Sequence, residues 1–262
     1  MKTIYSIILI IVSALLFSCQ KEVIIDLNSV NKIPVVQANV TNQPGPYTVQ
    51  LNNTANYYEA NNFTAIVGAS VVVTDNSGNS QIFQEVAPGF YQSPAFTGTP
   101  GITYHLSVTT NGKEYTASST MPLVVPIDSV VIENTTNNDG KRVICYFKDP
   151  PVIGNYYRLR LASNDTANIN QNSIRIATDN LTNGNEMRMS FRTDLHADDT
   201  VTVKLESIDK TTYDFYNTLS NAEGDENQFM SALPANPTNN ISNGGLGYFS
   251  AYAVAEKTAV IK

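Results

Sequence analysis

Two thiols and two imidazoles are the side chains here best suited to covalent or acid–base chemistry, and they lie scattered at Cys19, Cys145, His105 and His196. Cys19 has the most telling setting. It follows an apolar run over residues 4–17 and the small Ser18, so Leu16-Phe17-Ser18-Cys19 reads as a processing sequence ending at a nucleophilic sulfur. Cys145 sits among apolar neighbours in Arg142-Val143-Ile144-Cys145-Tyr146-Phe147. A reactive thiolate needs a lowered pKa and a basic or helix-terminal setting, so Cys145 reads as a small core residue. Neither histidine is near it, and two separated histidines with one thiol fall short of a zinc ligand set. No catalytic residue, metal ligand or cofactor is therefore expected.

Carboxylates gather at two places. Leu195-His196-Ala197-Asp198-Asp199 brings two beside an imidazole, a grouping able to hold a cation, but it reads better as the turn before a strand. Asp75-Asn76-Ser77-Gly78-Asn79 lacks the alternating acids and distal glutamate of an EF-hand loop, and reads as a hairpin turn. Gly244-Gly245-Leu246-Gly247 allows close backbone approach, yet a phosphate cradle would need a helix N-terminus and usually a lysine after it. Aromatic and small residues follow instead. Neither Gly-x-Ser-x-Gly nor His-Glu-x-x-His occurs, which weighs against a hydrolase.

The opening segment has a short basic start, Met1-Lys2-Thr3, before its apolar core. A bilayer-spanning helix needs about 20 apolar residues, and Gln20-Lys21-Glu22 ends this run too soon. The whole of residues 1–18 resembles a bacterial lipoprotein signal peptide. That resemblance implies that Cys19 becomes the first mature residue, carrying fatty chains such as palmitate, with residues 19–32 as a tether. Each buried methylene contributes about 0.8 kcal/mol and stable anchoring takes more than one chain, so a multiply acylated Cys19 would stay on a membrane. Gln20-Lys21-Glu22 resembles the export signal of Bacteroidota surface lipoproteins, implying the outer membrane and display at the cell surface.

Charge narrows the partners. The chain carries 16 basic against 23 acidic side chains, a net of −7, and loss of the signal removes only Lys2 from that balance. Duplex binding draws on clustered Lys and Arg, and no basic stripe is present, so no nucleic acid is expected.

The mature length of about 240 residues suggests two domains. Met121-Pro122-Leu123-Val124-Val125-Pro126 places two prolines around a short apolar link, which makes 122–126 the natural linker between domains at 33–121 and 127–262. Before it, short β-rich runs alternate with turn residues: 33–40, 47–51, 69–74, 80–84, 90–92, 103–109 and 114–120. In Tyr104-His105-Leu106-Ser107-Val108 apolar and polar residues alternate, putting His105 on a wet face. After the linker, 129–133, 142–148, 156–162, 187–192 and 200–207 read as strands. Asp209 can cap a helix over 210–222, whose Tyr213, Tyr216 and Leu219 share a stripe beside Phe215 and Ala222, before Gly224 stops it. The expected fold is all-β: two tandem β-sandwiches, the second with one short helix, and a closing strand through 248–254.

Gly68 to Asp75, Gly89-Phe90-Tyr91 and Gly101 to Leu106 resemble transthyretin-like, Ig-like sandwiches, and the second half resembles a fibronectin type III module. Over the whole mature chain the order of Gly45-Pro46-Tyr47-Thr48-Val49-Gln50-Leu51, Ser207-Ile208-Asp209-Lys210, Tyr213-Asp214-Phe215-Tyr216 and Gly244-Gly245-Leu246-Gly247-Tyr248-Phe249 is similar to the Bacteroidota lipoproteins grouped as domain of unknown function 4249. Membership implies an outer-membrane lipoprotein, often encoded near TonB-dependent β-barrel transporters, with no catalytic residues to carry over. A non-enzymatic binding or accessory component is the expectation; a structural or adhesive surface module and a hydrolase are the alternatives. Aromatic pairs are the candidate partner contacts: Tyr57 and Tyr58 in an Asn-rich loop, and Tyr248 and Phe249 after the glycines.

Overall fold

In the first half, strict alternation builds the strands. In β7 (Thr103–Thr110) Tyr104, Leu106 and Val108 are buried while His105 is exposed, because successive side chains of a strand point to opposite faces. A computed structural model describes residues 32–55, 63–135, 140–164, 174–222 and 236–261. The other strands of this half are β1 (Pro34–Thr41), β2 (Thr48–Asn53), β3 (Thr64–Ala65), β4 (Ser70–Asp75), β5 (Ser80–Ala87), β6 (Phe90–Gln92) and β8 (Lys113–Thr120). After residue 121 come β9 (Ser129–Asn134), β10 (Lys141–Lys148), β11 (Tyr156–Ser163), β12 (Arg175–Thr178), β13 (Glu186–Thr193), β14 (Thr200–Ile208), helix α1 (Lys210–Ala222) and β15 (Leu246–Val260).

Twelve strands join one path, β12-β11-β14-β15-β1-β2-β6-β5-β4-β7-β8, with β3 added on β2. A bulge between Glu85 and Ala87 marks the β5–β6 junction, and bulges bend strands. Around it β4, β5, β7 and β8 pack over β1, β2 and β6, enclosing Val40, Val49, Leu51, Val71, Phe83, Tyr91 and Leu106 in a first core. The second core lies between the path β12-β11-β14-β15 and a separate sheet β13-β10-β9. It holds Phe147, Tyr157, Leu159, Phe191, Val203 and Leu205. Phe147 and Tyr157 meet edge to face at 4.8 Å between centroids. Burying a side chain of this kind contributes about 1.5–3 kcal/mol. The fold is all-β with one helix among the described residues, as the residue patterns led us to expect.

Residues 122–126 lead from the first core, which ends with Met121, into the second, which takes Val125. β15 then serves both. Its residues 246–252 run parallel to β1, and its residues 253–260 run antiparallel to β14. Gly247 makes the first pairing possible: at φ +99° it brings β15 so close to β1 that a Cβ would stand 2.0 Å from the Val36 carbonyl oxygen. The glycine-rich entry is thus a close backbone approach. The strand also continues to Val260, six residues past the expected end at 254.

Helix α1 starts as read. Asp209 Oδ1 accepts the Thr212 N–H at 2.8 Å, a side-chain cap for a donor that the helix leaves free. The helix covers the outer face of the β11–β15 region, where Tyr213 packs on Tyr156 and Phe215 on Tyr248.

Candidate functional site

Of the residues singled out by type, Ser18, Cys19, Tyr57 and Tyr58 lie outside the described residues. Cys145 is fully buried, and burial pushes its thiol up to about 12. A thiol so protonated is no nucleophile at neutral pH. Asp75 Oδ1 accepts the N–H groups of Ser77 and Asn79, and Oδ2 accepts the Asn79 side-chain amide. Those hydrogen bonds, the Asn79 amide first, hold its carboxyl below the usual range, and the loop is a hairpin turn. In the second acidic group the His196 N–H donates to Asp199 Oδ2 at 2.8 Å, and the Ile261 N–H to the Asp199 carbonyl. This too is a turn, closed against the end of β15.

Tyr248 and Phe249 part company. Phe249 is 1 % exposed and belongs to the first core, so as a candidate contact it is corrected to a packing residue: alternation along β15 turns it inward. Tyr248 faces the other way, under α1, with its hydroxyl 2.8 Å from that of Tyr216.

Beneath the helix, Glu206 on β14 is paired across the sheet with Arg158 on β11. Glu206 binds Arg158 Nε and, at 2.9 Å, Arg160 Nε. The Arg158 guanidinium lies 4.6 Å from the Tyr216 ring centre and 4.9 Å from that of Tyr252. Burial opposes its charge, but Glu206 and the two phenols outweigh that and hold Arg158 above its usual range. Burial likewise raises Tyr216 and Tyr252. Glu206, Arg158, Tyr216 and Tyr248 engage one another, so the cluster glues helix to sheet.

A different arrangement opens where the two cores meet. A cleft of about 490 Å³ is lined by the linker residues Pro122, Leu123 and Val125, the turn residues Pro150 and Val152, and the end of β14 at Ser207 and Ile208. The local sequence explains its shape. The prolines hold the linker extended, and Asp149-Pro150-Pro151 turns the chain between β10 and β11. That turn is stitched to its neighbour: Gly154 N–H donates to Asp179 Oδ2 at 2.9 Å and Gly184 N–H to Asp149 Oδ2 at 2.9 Å. Asp149 also accepts the Tyr157 hydroxyl, and burial followed by that bond raises the Tyr157 phenol, which stays a donor.

Inside the cleft the Ser207 side chain is buried with no hydrogen-bond partner for its hydroxyl among the described residues. Leaving a hydroxyl so costs about 1–3 kcal/mol. At the mouth stand Leu123 and Val152, with Ile153 and the 97 %-exposed Leu181 on the adjoining turns. The joint itself is held firmly. Asp209 Oδ2 accepts the Ser119 hydroxyl of β8 at 2.6 Å, Ser119 Oγ accepts the Ala251 N–H, and the Asn42 side chain exchanges two bonds with Val254. A cleft with apolar walls of Leu123, Val125, Val152 and Ile208 and polar groups at Asn155, Ser207, Asp209 and Lys210, on a rigid frame, can bind. Sequence reasoning marked the prolines, the Asp149 turn and the Asp209 cap, but missed Ser207 and the exposed aliphatics, which only the meeting of distant segments brings together.

No curated protein matches the chain. Among solved structures it is similar to the Yersinia pseudotuberculosis adhesin InvE, at 15% identity and TM-score 0.24, over 66% of this chain and 55% of that one. It is also similar to Bacteroides uniformis beta-glucuronidase 3, at 12% identity and TM-score 0.22, over 67% and 23%. The chain thus spans about half of the first and under a quarter of the second, and likenesses this faint carry no inference. The family described as Domain of unknown function (DUF4249) matches residues 20–258, nearly the whole chain, and the protein belongs to that family.

Proposed function

We propose that the protein is a non-enzymatic lipoprotein, held on the outer membrane by acyl chains on Cys19 and displayed at the cell surface. There it binds a protein partner, a TonB-dependent β-barrel transporter, through the cleft between its two cores. The observation that carries this reading is the cleft: Leu123 and Val152, both exposed to water, line it beside a buried Ser207 hydroxyl that has no partner among the described residues. Exposed aliphatic residues gathered at a concave site mark interaction surfaces. The fully buried, protonated thiol of Cys145 adds no competing chemistry.

A second reading, a rigid spacer, draws on β15, which runs unbroken from its pairing with β1 beside the first core to its pairing with β14 beside the second. One experiment separates the two. The native protein is extracted in mild detergent and its partners identified by mass spectrometry, beside a Leu123→Asp/Val152→Asp variant. Both positions are exposed, so the variant should fold. Loss of a stoichiometric β-barrel protein from the variant supports binding at the cleft; equal recovery, or none from either protein, leaves the spacer.

A further inference from the structure

A second set of exposed apolar side chains lies at the opposite end of the first sandwich. Phe63 is 60 % exposed, Val67 61 %, Val86 60 % and Phe90 41 %. They flank two segments that hydrogen bonds hold together: Gly68 N–H donates to Glu85 Oε2 at 2.8 Å, and Leu51 N–H to the Gly89 carbonyl at 2.8 Å. The Ile66 N–H also binds the Leu51 carbonyl, so residues 63–68 and 85–90 share one corner. Aromatic and aliphatic side chains left in water there have no packing role in the first core, which is complete without them.

The start of the described chain supplies the occupant. Lys32 donates from Nζ to Thr64 Oγ1 at 3.0 Å, beside Phe63, and the Ile33 N–H binds Thr54 Oγ1. The polypeptide coming from Cys19 therefore joins the body at this corner. From position 19 to position 32 it takes 13 steps, a reach of about 45 Å at most. Such a short tether keeps the corner at a high local concentration relative to the surface that holds the acyl chains.

We propose that this corner is the membrane-facing surface of the protein: Phe63, Val67, Val86 and Phe90 dip into the lipid interface in which the Cys19 acyl chains are sunk. The inference rests on the anchoring at Cys19. Phenyl and aliphatic side chains suit the headgroup–acyl boundary, and Lys32 beside them suits anionic headgroups. Glu85, exposed at the same corner, accepts the N–H groups of Gly68 and Gly89, which offsets part of its repulsion from such a surface. In this pose β1 and β15 run away from the membrane, and the joint cleft and the second sandwich stand farther out, open to a partner.

The chain contains no tryptophan, so a single introduced indole reports its own position without background. Phe63→Trp, Phe90→Trp and Leu181→Trp change exposed side chains and should fold. Each full-length lipidated variant is placed in phosphatidylethanolamine–phosphatidylglycerol vesicles containing brominated acyl chains. Acylation is checked separately by incorporation of a labelled fatty acid. The proposal expects the two patch indoles to lose roughly half of their emission and shift to the blue, with Leu181→Trp unchanged. Acylated protein with unquenched patch indoles, or with Leu181→Trp quenched as strongly, overturns the docking pose while leaving the anchor intact. A chain that takes up no fatty acid overturns both, and is recognised by the label alone.

Discussion

The two sandwiches differ in what lies behind their sheets. Around the first core the buried polar side chains are small and neutral, Thr41, Ser93, Thr110 and Ser119. All four buried charged side chains among the described residues, Asp149, Arg158, Asp179 and Glu206, belong to the second half. For Arg158 and Glu206 the reason is a third layer, whereas Asp149 and Asp179 are buried in turns, where they accept the N–H groups of Gly184 and Gly154. The first sandwich leaves the outer faces of its strands to water, whereas α1 covers the outer face of β11, β14 and β15. A position that alternation assigns to solvent then becomes buried, and whatever polarity it carries must be paired there. Residues 201–208 show the outcome: Val201, Val203 and Leu205 face the second core, while Glu206 and Ile208 at the end of the strand are buried as well.

The strongest way to break this contrast is Glu206→Ala. The substitution leaves the Arg158 guanidinium in a buried site without its carboxylate, and stranding a buried charge costs about 3–5 kcal/mol. We expect urea unfolding to shift to lower midpoint by that amount. A loss under about 1 kcal/mol would mean that Arg158 finds water in the folded protein, and the idea of a dry third layer would fall. Among the described residues the first sandwich has no buried ion to strand, and so no counterpart.

Gly247→Val probes what the two sandwiches share. Its added Cβ meets the Val36 carbonyl, and its φ of +99° is one that a β-branched residue rarely adopts. We expect a loss of about 3 kcal/mol, at the upper end of ordinary single substitutions, because β1 must part from β15. If the shared strand couples the two cores, both unfold together at the lower midpoint. Separate transitions in the variant would show two bodies that merely touch.

The thiol of Cys145 gives a subtler handle on the second core. Burial raises its pKa from 9.0 to about 12. An acid whose folded pKa is raised holds its proton longer in the native state, so its contribution is intact below pH 9.0 and is lost as pH climbs toward about 12. In that window the unfolded chain releases a proton that the folded one keeps, and stability falls by up to about 1.4 kcal/mol per pH unit. The slope should flatten in Cys145→Ala. An unchanged slope would show that alkaline unfolding is driven by the tyrosines.

Legibility in the sequence followed locality. Helix α1 and its cap were readable because Asp209 and the spacing of Tyr213, Tyr216 and Leu219 act within a few turns of one segment. Most strands were readable from alternation. β3 has two residues and β12 four, too few to show a period, and both went unseen. The last part of β15, with Glu256 and Lys257 exposed, has no apolar pattern and exists because β14 pairs with it. The Arg158–Glu206 pair spans 48 positions and appears only once the β11–β14 register is known. The cleft is the extreme case: its walls come from the linker, a turn and a strand end that local sequence does not connect.

That cleft also gives the smallest expected effect and the most informative sign. Ser207→Ala removes a hydroxyl that is buried beside apolar side chains without a hydrogen bond, so nothing favourable is lost. Since an unmade hydrogen bond is a cost, the variant should be as stable as the parent or up to about 1 kcal/mol more so. In either sandwich core the opposite holds, because truncating Leu106 or Leu205 leaves a cavity and costs about 2–5 kcal/mol. The proposed partner binding would make use of that hydroxyl, in the way that sites built for binding sacrifice stability. Ser207→Ala should therefore weaken partner recovery in the detergent extract while its thermal midpoint holds or rises. A falling midpoint would show instead that the hydroxyl bonds within the fold, and the proposed role of Ser207 in the cleft would fall.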